Sequence, residues 1–391
     1  MSDERTETEN QLLHDLVKLY SPSGHEGQAA EFLLETFRRW GVNTRIDEVG
    51  NVVGEMGEGS PTVCFLGHID TVTGEIPVRR EGNLLYGRGA VDAKGPLAAA
   101  ACAAARLPRN LAKKIIIVGA VGEESPNSPG ANFIMHRLRP DFAIIGEPSR
   151  WDRITVGYKG VFHHKWTLRV PRAHGAAETA SAATSTISFF YGIMRRHEKT
   201  EQSPFERLTA NVRSINTRLE DIFDTVTATM DFRLPPFIDP DEFEREIRAA
   251  AGDAIIEVVE KLPAVVCDKN SRLVRTMLAA IRGHGGQPRF VRKTGTSDMN
   301  VVAPVWKCPM AAYGPGDSNL DHTPNEHIDL DEYQRAIAVL ETAFLNLYSL
   351  FLTDKGWSEL VPPLKSGQSK MHPFPTGPRV RDRKSVLPDR S

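Results

Sequence analysis

Two histidines and several carboxylates follow apolar, strand-like runs in this sequence, and their residue types suit a metal centre. His68 and Asp70 come directly after the run VCFLG, and His322 lies far downstream in GPGDSNLDHTPNEH. Residues two apart on an extended backbone point the same way, so Asp70 can hold one ring nitrogen of His68 while the other binds a metal. These residue types are the ingredients of a two-metal hydrolytic centre.

The other candidates are acidic side chains at the ends of predicted strands. Asp92 lies in a glycine-rich turn before an alanine-rich segment, Glu123 and Glu124 follow IIIVGAV, and Glu147 follows FAIIG. Adjacent carboxylates at a buried strand end repel each other and lose hydration. A bound metal ion offsets both the repulsion and the cost of the lost hydration. One glutamate can then be a ligand while the other takes a proton from water.

Each of these residues also has a plainer interpretation. A lone histidine is more often structural than a ligand, and Glu123-Glu124 could be a solvated loop that opens into SPNSPG. The shared position of the candidates favours the metal centre, because open α/β sheets place their sites beyond the carboxyl ends of strands.

Strands and helices alternate in the first 150 residues, which predicts an α/β fold with a mixed, largely parallel sheet between helices. The predicted strands are Thr62–Gly67, Lys113–Val121 and Asp141–Ile145, and the predicted helices are Ala93–Leu107 and Pro129–Leu138. After the insertion described next, the sheet and its helices would be completed by a helix over Ser271–Gly283, strands over Pro288–Arg292 and Val305–Ala312, and a long helix over Asp329–Leu352.

The pattern between these parts is different and predicts an inserted domain. The expected elements are a strand Tyr158–Val170, a helix Ala173–Arg196, strands Leu208–Thr217 and Thr225–Leu234, a helix Pro240–Ala251 and a strand Ile255–Val266. This βαββαβ order is ferredoxin-like. We therefore predict a discontinuous catalytic domain (1–156 and 268–352), an inserted domain (157–267) and a disordered tail (353–391) rich in Pro, Lys, Arg and Ser.

Composition excludes several classes of function. The chain has 391 residues, 25% of them charged, and a net charge of -2, which indicates no general affinity for nucleic acid or membrane. The start MSDERTETEN is polar and unlike a secretory signal, and the most apolar run without a charge is too short to cross a bilayer. Four scattered cysteines without a CxxC favour reduced thiols, so we expect a cytoplasmic enzyme.

Five segments carry a family resemblance. GHIDTV, GRGAVDAKG, GEES, IGEP and DHTPNEH resemble, in order, the motifs of the dinuclear metallo-aminoacylase/carboxypeptidase family, which includes acetylornithine deacetylase and succinyl-diaminopimelate desuccinylase. The resemblance covers roughly Leu12 to Leu352. It implies a metallopeptidase catalytic domain, an inserted lid and dimerisation domain, a homodimer, and two divalent metal ions, zinc or cobalt.

The resemblance also implies roles for individual residues. Asp70 matches the carboxylate behind the histidine ligand, and Glu123 matches the general base. The peptide bond after the bridging aspartate is often cis in the family, and here it would join Asp92 to Ala93. The implied ligands are His68, Asp92 and Glu147 for one metal, and Asp92, Glu124 and His322 for the other, with Asp92 as the bridge.

Substrate-binding residues are implied in the same way. His174 resembles a histidine that reaches the partner subunit's active site and stabilises the oxyanion. Arg233, in DFRLPP, matches an arginine that grips a substrate carboxylate, although a simple salt bridge would also explain it. Gly295 and Thr296 resemble the start of the substrate-side loop. The family's asparagine before this strand has no match, because residues 216–225 read NTRLEDIFDT.

Within the family, three segments are most similar to the branch of lysine biosynthesis that uses an amino-group carrier protein: GEIPVRREGNLLYGRGAVDAKGPLAA, YKG and KTGTSDMN. This similarity implies release of lysine or ornithine from the γ-carboxyl of the carrier's C-terminal glutamate. Residues 269–297 hold seven Lys and Arg and no acid, which would attract an acidic carrier. A merely solvated helix face explains this run equally well.

Alternatives remain at this point. The chain could be a small-molecule deacylase, such as an acetylornithine or acetyl-lysine deacetylase, or a metallo-dipeptidase with the same metal centre. A metal-bearing protein that only binds is a third possibility. The intact Glu123 argues against it, because a binding protein has no need of a general base.

Overall fold

The computed structural model describes residues 2–174, 178–198 and 203–347, so the predicted tail (353–391) lies outside the described residues. Element labels follow chain order. The strands are β1 (Asn43–Ile46), β2 (Val52–Met56), β3 (Thr62–His68), β4 (Arg79–Glu81), β5 (Leu84–Tyr86), β6 (Lys114–Ala120), β7 (Phe142–Gly146), β8 (Arg153–Tyr158), β9 (Gly160–Pro171), β10 (Thr209–Glu220), β11 (Phe223–Leu234), β12 (Ile255–Leu262), β13 (Val265–Val266), β14 (Arg289–Lys293), β15 (Met310–Ala312) and β16 (His327–Asp329).

The helices are named in the same way. They are α1 (Ser2–Lys18), α2 (Gly27–Arg39), α3 (Lys94–Ala105), α4 (Pro129–Ile134), α5 (Ala182–Arg196), α6 (Pro240–Ala250), α7 (Arg272–Gly283), α8 (Asp298–Trp306) and α9 (Leu330–Asn346). Over the ranges given above, no helix combines the length and apolarity that a membrane crossing requires.

The main sheet is mixed and has nine strands. Its order is β1-β2-β6-β3-β7-β15-β8-β13, and β14 also pairs with β8. The central pairs β6–β3, β3–β7 and β7–β15 are parallel, whereas β1–β2, β2–β6 and β8–β13 are antiparallel. Strands β3, β6 and β7 are almost wholly buried, as expected of parallel strands covered on both faces. The carboxyl ends of these three strands therefore meet at one edge.

The alanine-rich segment forms α3, which packs on β3 and β6 and against α9. Small side chains let this helix approach the sheet closely, and nearly every residue in it is buried. The helix begins directly after the turn that carries Asp92. Its packing therefore holds that turn at the edge where the three central strands end.

The inserted elements run β9-α5-β10-β11-α6-β12, which is the βαββαβ order expected from the sequence. Their sheet is antiparallel with the order β10-β11-β9-β12. One face of this sheet buries Phe162, Trp166 and Phe232 in a core with the helices, to which α6 contributes Phe243. The limits 157–267 of this domain remain a prediction.

The chain passes between the two sheets at two adjacent places. Lys159 lies between β8 and β9, and Pro263 lies between β12 and β13. Asn300 Nδ2 donates to the carbonyl oxygens of both residues, at 2.9 and 2.8 Å. Gly160 permits the close approach, because a Cβ there would lie 2.5 Å from the carbonyl oxygen of Leu262. The two crossings are therefore tied together.

Three predicted elements were wrong in part. The single strand expected over Ile255–Val266 is divided into β12 and β13, which belong to different sheets, and the helix expected over Ala173–Arg196 begins at Ala182. The strand expected over Val305–Ala312 begins within α8, and only Met310–Ala312 forms a strand. The reason is a capping box: Ser297 accepts a hydrogen bond from Met299 N–H, and the Asn300 side chain accepts one from Ser297 N–H. This start signal outweighs the β-branched residues that follow. Strands β8 and β16 were not predicted.

Candidate metal centre

His68 is the last residue of β3 and is buried at the edge where the central strands end. Its Nδ1 lies 3.0 Å from the carbonyl oxygen and 3.4 Å from Oδ1 of Asp70. Its Nε2 is thereby directed at Asp92 Oδ1, 3.2 Å away. Burial alone would lower the pKa of His68, but hydrogen bonds to Asp70 and Asp92 raise it well above the usual value.

The first group of candidate ligands is His68, Asp92 and Glu147. One ligand atom from each lies within 4.8 Å of the others. Glu147 follows β7, and its Oε1 is 3.9 Å from His68 Nε2. Burial and the neighbouring charge of Asp92 raise the pKa of Glu147 to about 8. A cation between these groups would offset the burial and the repulsion that disfavour the charged form of Glu147.

The second group is Asp92, Glu124 and His322, again with ligand atoms within 4.8 Å. His322 Nε2 lies 2.9 Å from Glu124 Oε1 and 3.1 Å from Asp92 Oδ2. These two hydrogen bonds raise the pKa of His322 to about 10. Burial would raise the pKa of Asp92, but hydrogen bonds from His322 and His68 hold it well below its usual range.

Asp92 thus offers one carboxylate oxygen to each group. No lysine or arginine of the described ranges lies within 4.0 Å of the Asp92, Glu124 or Glu147 carboxylates. Each group combines one imidazole nitrogen with two carboxylate oxygens, a donor set that suits zinc and related divalent ions. The residues therefore fit metal ions. The peptide bond Asp92–Ala93 is cis, as the resemblance implied.

Asp70 fixes the loop of the two glutamates as well as the histidine. Its carboxylate accepts the backbone N–H groups of Glu123 and Glu124, both at 3.0 Å, and the Ser23 hydroxyl at 2.7 Å. Glu123 is thereby held beside the ligand groups. Burial raises its pKa well above the usual value, and the charges of Glu147 and Glu124 add to this rise.

Glu326 is a supporting residue that the sequence did not reveal. It is fully buried, and its Oε1 accepts the N–H groups of Val91 and Asp92, at 2.9 and 3.1 Å. Its Oε2 accepts from Arg88 at 2.7 Å. Glu326 therefore holds the turn that presents Asp92. Its place in a polar loop gave no periodic signal, although it lies only four residues after His322.

Two more buried acids border the centre. Asp298 and Asp321 each have a buried Oδ1 without a hydrogen-bond partner among the described residues. Burial raises the pKa of Asp298 to about 7 and that of Asp321 to about 9, and in Asp321 the nearby Asp92 adds to the rise. Asp321 was not predicted, because only its folded neighbours distinguish it from a loop carboxylate.

The candidate substrate residues are brought together only in part. Arg233, on β11, donates to Thr296 Oγ1 and to Asp231 Oδ2, both at 3.1 Å, so it joins the inserted sheet to the predicted substrate loop. Gly295 is exposed, and a Cβ there would meet nothing within 4 Å. His174 is exposed beyond the end of β9 and belongs to neither group of candidate ligands.

Comparisons with known proteins support the same chemistry. Residues 64–346 match the sequence profile of the peptidase family M20/M25/M40. A [LysW]-lysine hydrolase of Deinococcus radiodurans is 41% identical over 350 residues, which cover 86% of this chain and 96% of that protein. A [LysW]-lysine/[LysW]-ornithine hydrolase of Sulfurisphaera tokodaii is 31% identical over 344 residues, which cover 86% of this chain and 93% of that protein.

Solved structures have the same fold. An M20 family metallo-carboxypeptidase from Sulfolobus solfataricus superposes with a TM-score of 0.73 at 19% identity, over 86% of this chain and 98% of that one. Human carnosine dipeptidase 1 superposes with a TM-score of 0.66 at 16% identity, over 88% of this chain and 97% of that one. At these identities the likeness concerns the fold alone.

Proposed function

Since this chain belongs to the peptidase family M20/M25/M40 and is a metallohydrolase of amide bonds, we propose that it releases L-lysine or L-ornithine from a carrier protein. The scissile amide joins the amino acid to the γ-carboxyl of the carrier's C-terminal glutamate. The observation that carries the chemistry is the pair of ligand groups that share Asp92, with Glu123 beside them. The similarity to [LysW]-lysine hydrolase over most of the chain supports the substrate.

Two divalent ions, zinc or cobalt, fit the centre, one in each ligand group. When bound, they would polarise the scissile carbonyl and make water more acidic. His68, Asp92 and Glu147 would hold the first ion, and Glu124 and His322 would hold the second together with Asp92. Asp70 orients His68 and positions the loop of Glu123 and Glu124 through the hydrogen bonds described above.

Glu123 is the general base in this proposal. Its backbone is anchored to Asp70, and its carboxylate is left beside the ligand groups. Its raised pKa suits a group that accepts a proton from the attacking water and passes it to the leaving nitrogen. The same carboxyl then acts first as base and afterwards as acid.

Arg233 is proposed to bind the carboxylate of the leaving amino acid. Its guanidinium is already held in place by Asp231 and Thr296, so little side-chain freedom is lost on binding. A planar guanidinium can bind a carboxylate through two parallel hydrogen bonds. The adjacent Gly295 leaves room for the substrate.

A homodimer is part of the proposal. Strand β10 is the outer strand of its sheet and almost wholly exposed, and Leu219 on it is 66% exposed. Tyr191 on α5 is 60% exposed. Exposed apolar side chains beside a free strand edge favour pairing between two copies. In that dimer, His174 of one copy would stabilise the oxyanion in the other.

This exchange of His174 can be tested by mixing variants. Glu123→Ala and His174→Ala subunits are each inactive in our proposal. A mixed dimer has one site with both residues intact if His174 is supplied across the interface. Refolding the two variants together at equal amounts should then restore about a quarter of the normal activity. No recovery in verified mixed dimers would place His174 within its own subunit.

We also propose a cytoplasmic location. The four cysteines form no disulfide, and three of them are buried. Burial raises the pKa of Cys102 and of Cys267 to about 12, so these thiols stay protonated. Unpaired cysteines of this kind are typical of a reducing compartment.

The proposed substrate is tested by kinetics on three compounds: a lysyl-carrier conjugate, free acetyl-lysine and acetylornithine. Each is assayed with and without zinc or cobalt, and Glu123→Ala serves as the inactive control. We expect kcat/KM for the conjugate to exceed the others by orders of magnitude. A preference for the free acyl amino acids would instead identify a small-molecule deacylase with the same metal centre.

A further inference from the structure

We propose that β14 (Arg289–Lys293) is a docking strand onto which the acidic C-terminal segment of the carrier adds as a further strand, its terminal glutamate directed towards the metal centre. This inference rests on the proposed function, because it needs a substrate presented at the end of a peptide. The further step is the way in which the enzyme binds that peptide.

The position of β14 in the main sheet makes strand addition possible. In the part of the chain that the structure describes, β14 pairs with β8 and with no other strand. An outer strand presents backbone N–H and C=O groups that can pair with another chain. Arg289 and Arg292 are exposed, and the Phe290 side chain is 40% exposed. The strand therefore offers backbone groups together with charged and aromatic side chains.

The charge on this strand is not neutralised. Of the described carboxylates, none lies within 4.0 Å of the side-chain nitrogens of Arg289, Arg292 or Lys293. The strand β1 at the opposite edge of the same sheet differs, because its Arg45 pairs with Glu55 at 2.7 Å. Cations often protect strand edges from aggregation, but that role does not require several unpaired cations beside a catalytic cleft.

The direction of β14 connects the strand to the site. The chain leaves β14 at Lys293 and continues directly into Gly295 and Thr296, and Thr296 accepts a hydrogen bond from Arg233. Lys293 Nζ lies 6.0 Å from the centre of the Tyr158 ring. A peptide that runs parallel to β14 would therefore arrive with its C-terminus at the cleft.

The chemistry of the occupant follows from these features. Main-chain hydrogen bonds would supply affinity whatever the peptide sequence, and alternate acidic side chains would meet Arg289 and Arg292. A second copy of this chain is a poor occupant, because pairing of two β14 strands would place like charges opposite one another. An extended peptide with net negative charge is complementary both to the backbone groups of β14 and to its positive charge.

Backbone-modified substrates test the strand addition. The substrate is a synthetic peptide with the sequence of the carrier's C-terminal segment and lysine on the terminal γ-carboxyl; γ-glutamyl-lysine is the short reference. N-methylation removes one N–H donor at a time. We expect kcat/KM to fall about tenfold at every second position and to change little at the positions between, because alternate residues of a strand pair with its neighbour.

Charge reversal tests the surface on the enzyme. Arg289→Glu combined with Arg292→Glu should lower kcat/KM for the peptide about a hundredfold at low salt and reduce its salt dependence. Hydrolysis of γ-glutamyl-lysine should stay within twofold, which also shows that the variant is folded. The matched control is Arg275→Glu with Arg282→Glu, two exposed arginines on α7. It should lower peptide hydrolysis by less than threefold.

The outcomes separate this inference from the proposed function. Equal losses in both double variants, or N-methylation without an alternating effect, would overturn docking on β14 while leaving a carrier hydrolase. If the unmodified enzyme hydrolyses the peptide no faster than γ-glutamyl-lysine, the carrier substrate itself is wrong. Alternating sensitivity together with selective loss in the β14 variant would establish the docking strand.

Discussion

The candidate metal centre and the guanidinium cluster of the four-stranded sheet (Arg213, Asp231 and Arg233) are each built around a buried aspartate, but they are held differently. Asp70 accepts two backbone N–H groups of the loop that follows β6. Among the described residues, Asp231 accepts hydrogen bonds only from the side chains of Arg213, at 2.6 Å, and Arg233, at 3.1 Å. The first aspartate fixes a backbone, whereas the second positions side chains on two neighbouring strands.

This difference indicates a division of roles. A loop fixed through its backbone keeps the reacting groups in place before substrate arrives, which is what stabilisation of a transition state requires. Charged side chains held beside the predicted substrate loop, as Arg233 is by Thr296, can select a substrate by the charges it carries. Changes in the metal centre should therefore affect all substrates alike, and changes in the guanidinium cluster should discriminate between them.

Replacement of the base gives the largest expected effect. Glu123→Gln should lower kcat about 10²–10⁴-fold for carrier conjugate and acetyl-lysine alike, because proton transfer is common to both. Metal analysis of the purified variant should show an unchanged metal content. A loss confined to one substrate would contradict the division of roles.

The guanidinium cluster gives a smaller and selective effect. Arg233→Lys should lower kcat/KM about 10- to 100-fold for substrates with a free carboxylate on the leaving amino acid, because a lysine cannot bind it through two parallel hydrogen bonds. A lysinamide leaving group lacks that carboxylate, so the variant and the normal enzyme should hydrolyse it at similar rates. Equal losses on both substrates would assign Arg233 a structural role.

Glu326 tests whether the support of Asp92 affects metal binding. Glu326→Gln should weaken metal affinity about 10- to 100-fold, as is usual for groups that orient metal ligands. Metal competition with a chromogenic chelator measures this change. Glu332→Gln is a matched control, since Glu332 also accepts two backbone N–H groups, from Trp151 and Gly316. The control variant should bind metal normally.

The pH dependence of metal binding tests the assigned ligands without any substitution. In metal-free protein the pKa of Glu147 is about 8 and that of His322 about 10, so both groups hold protons near neutral pH. Metal binding must displace these protons, and its apparent affinity should rise about tenfold per pH unit for each proton released. Calorimetry in buffers of different ionisation enthalpy counts the protons. Affinity that falls with rising pH below about pH 8 would contradict the assigned ligands.

The sequence predicted which candidate ligands the structure brings together better than it predicted the residues around them. His68 and Glu147 each belong to a short motif at the end of a central strand, where local order already implies a shared edge, and Asp92 belongs to the motif of the turn before α3. Glu326 could not be recognised, because its role depends on backbone groups more than two hundred residues away. The contact between Arg233 and Thr296 likewise joins residues that are 63 positions apart and leaves no local pattern.

The fold was predictable where the apolar residues of a segment follow a single period or where one residue type predominates. The alternating β11 and the alanine-rich α3 formed as expected. The start of the strand predicted over Val305–Ala312 was wrong because the Ser297 cap begins a helix that continues to Trp306. The start of β8 was missed because one continuous apolar pattern covers two strands that belong to different sheets.

The two hydrogen bonds of Asn300, to the places where the chain enters and leaves the four-stranded sheet, have a consequence for how such enzymes diversify. A segment whose two ends meet at one side chain can be exchanged as a cassette without moving the sheet that receives it. Lys159 and Pro263 mark the natural joints, since a graft cut there leaves the Asn300 amide that donates both hydrogen bonds, and the metal ligands, on the recipient. Relatives could thus trade substrate preferences by recombination while the hydrolytic machinery is inherited unchanged.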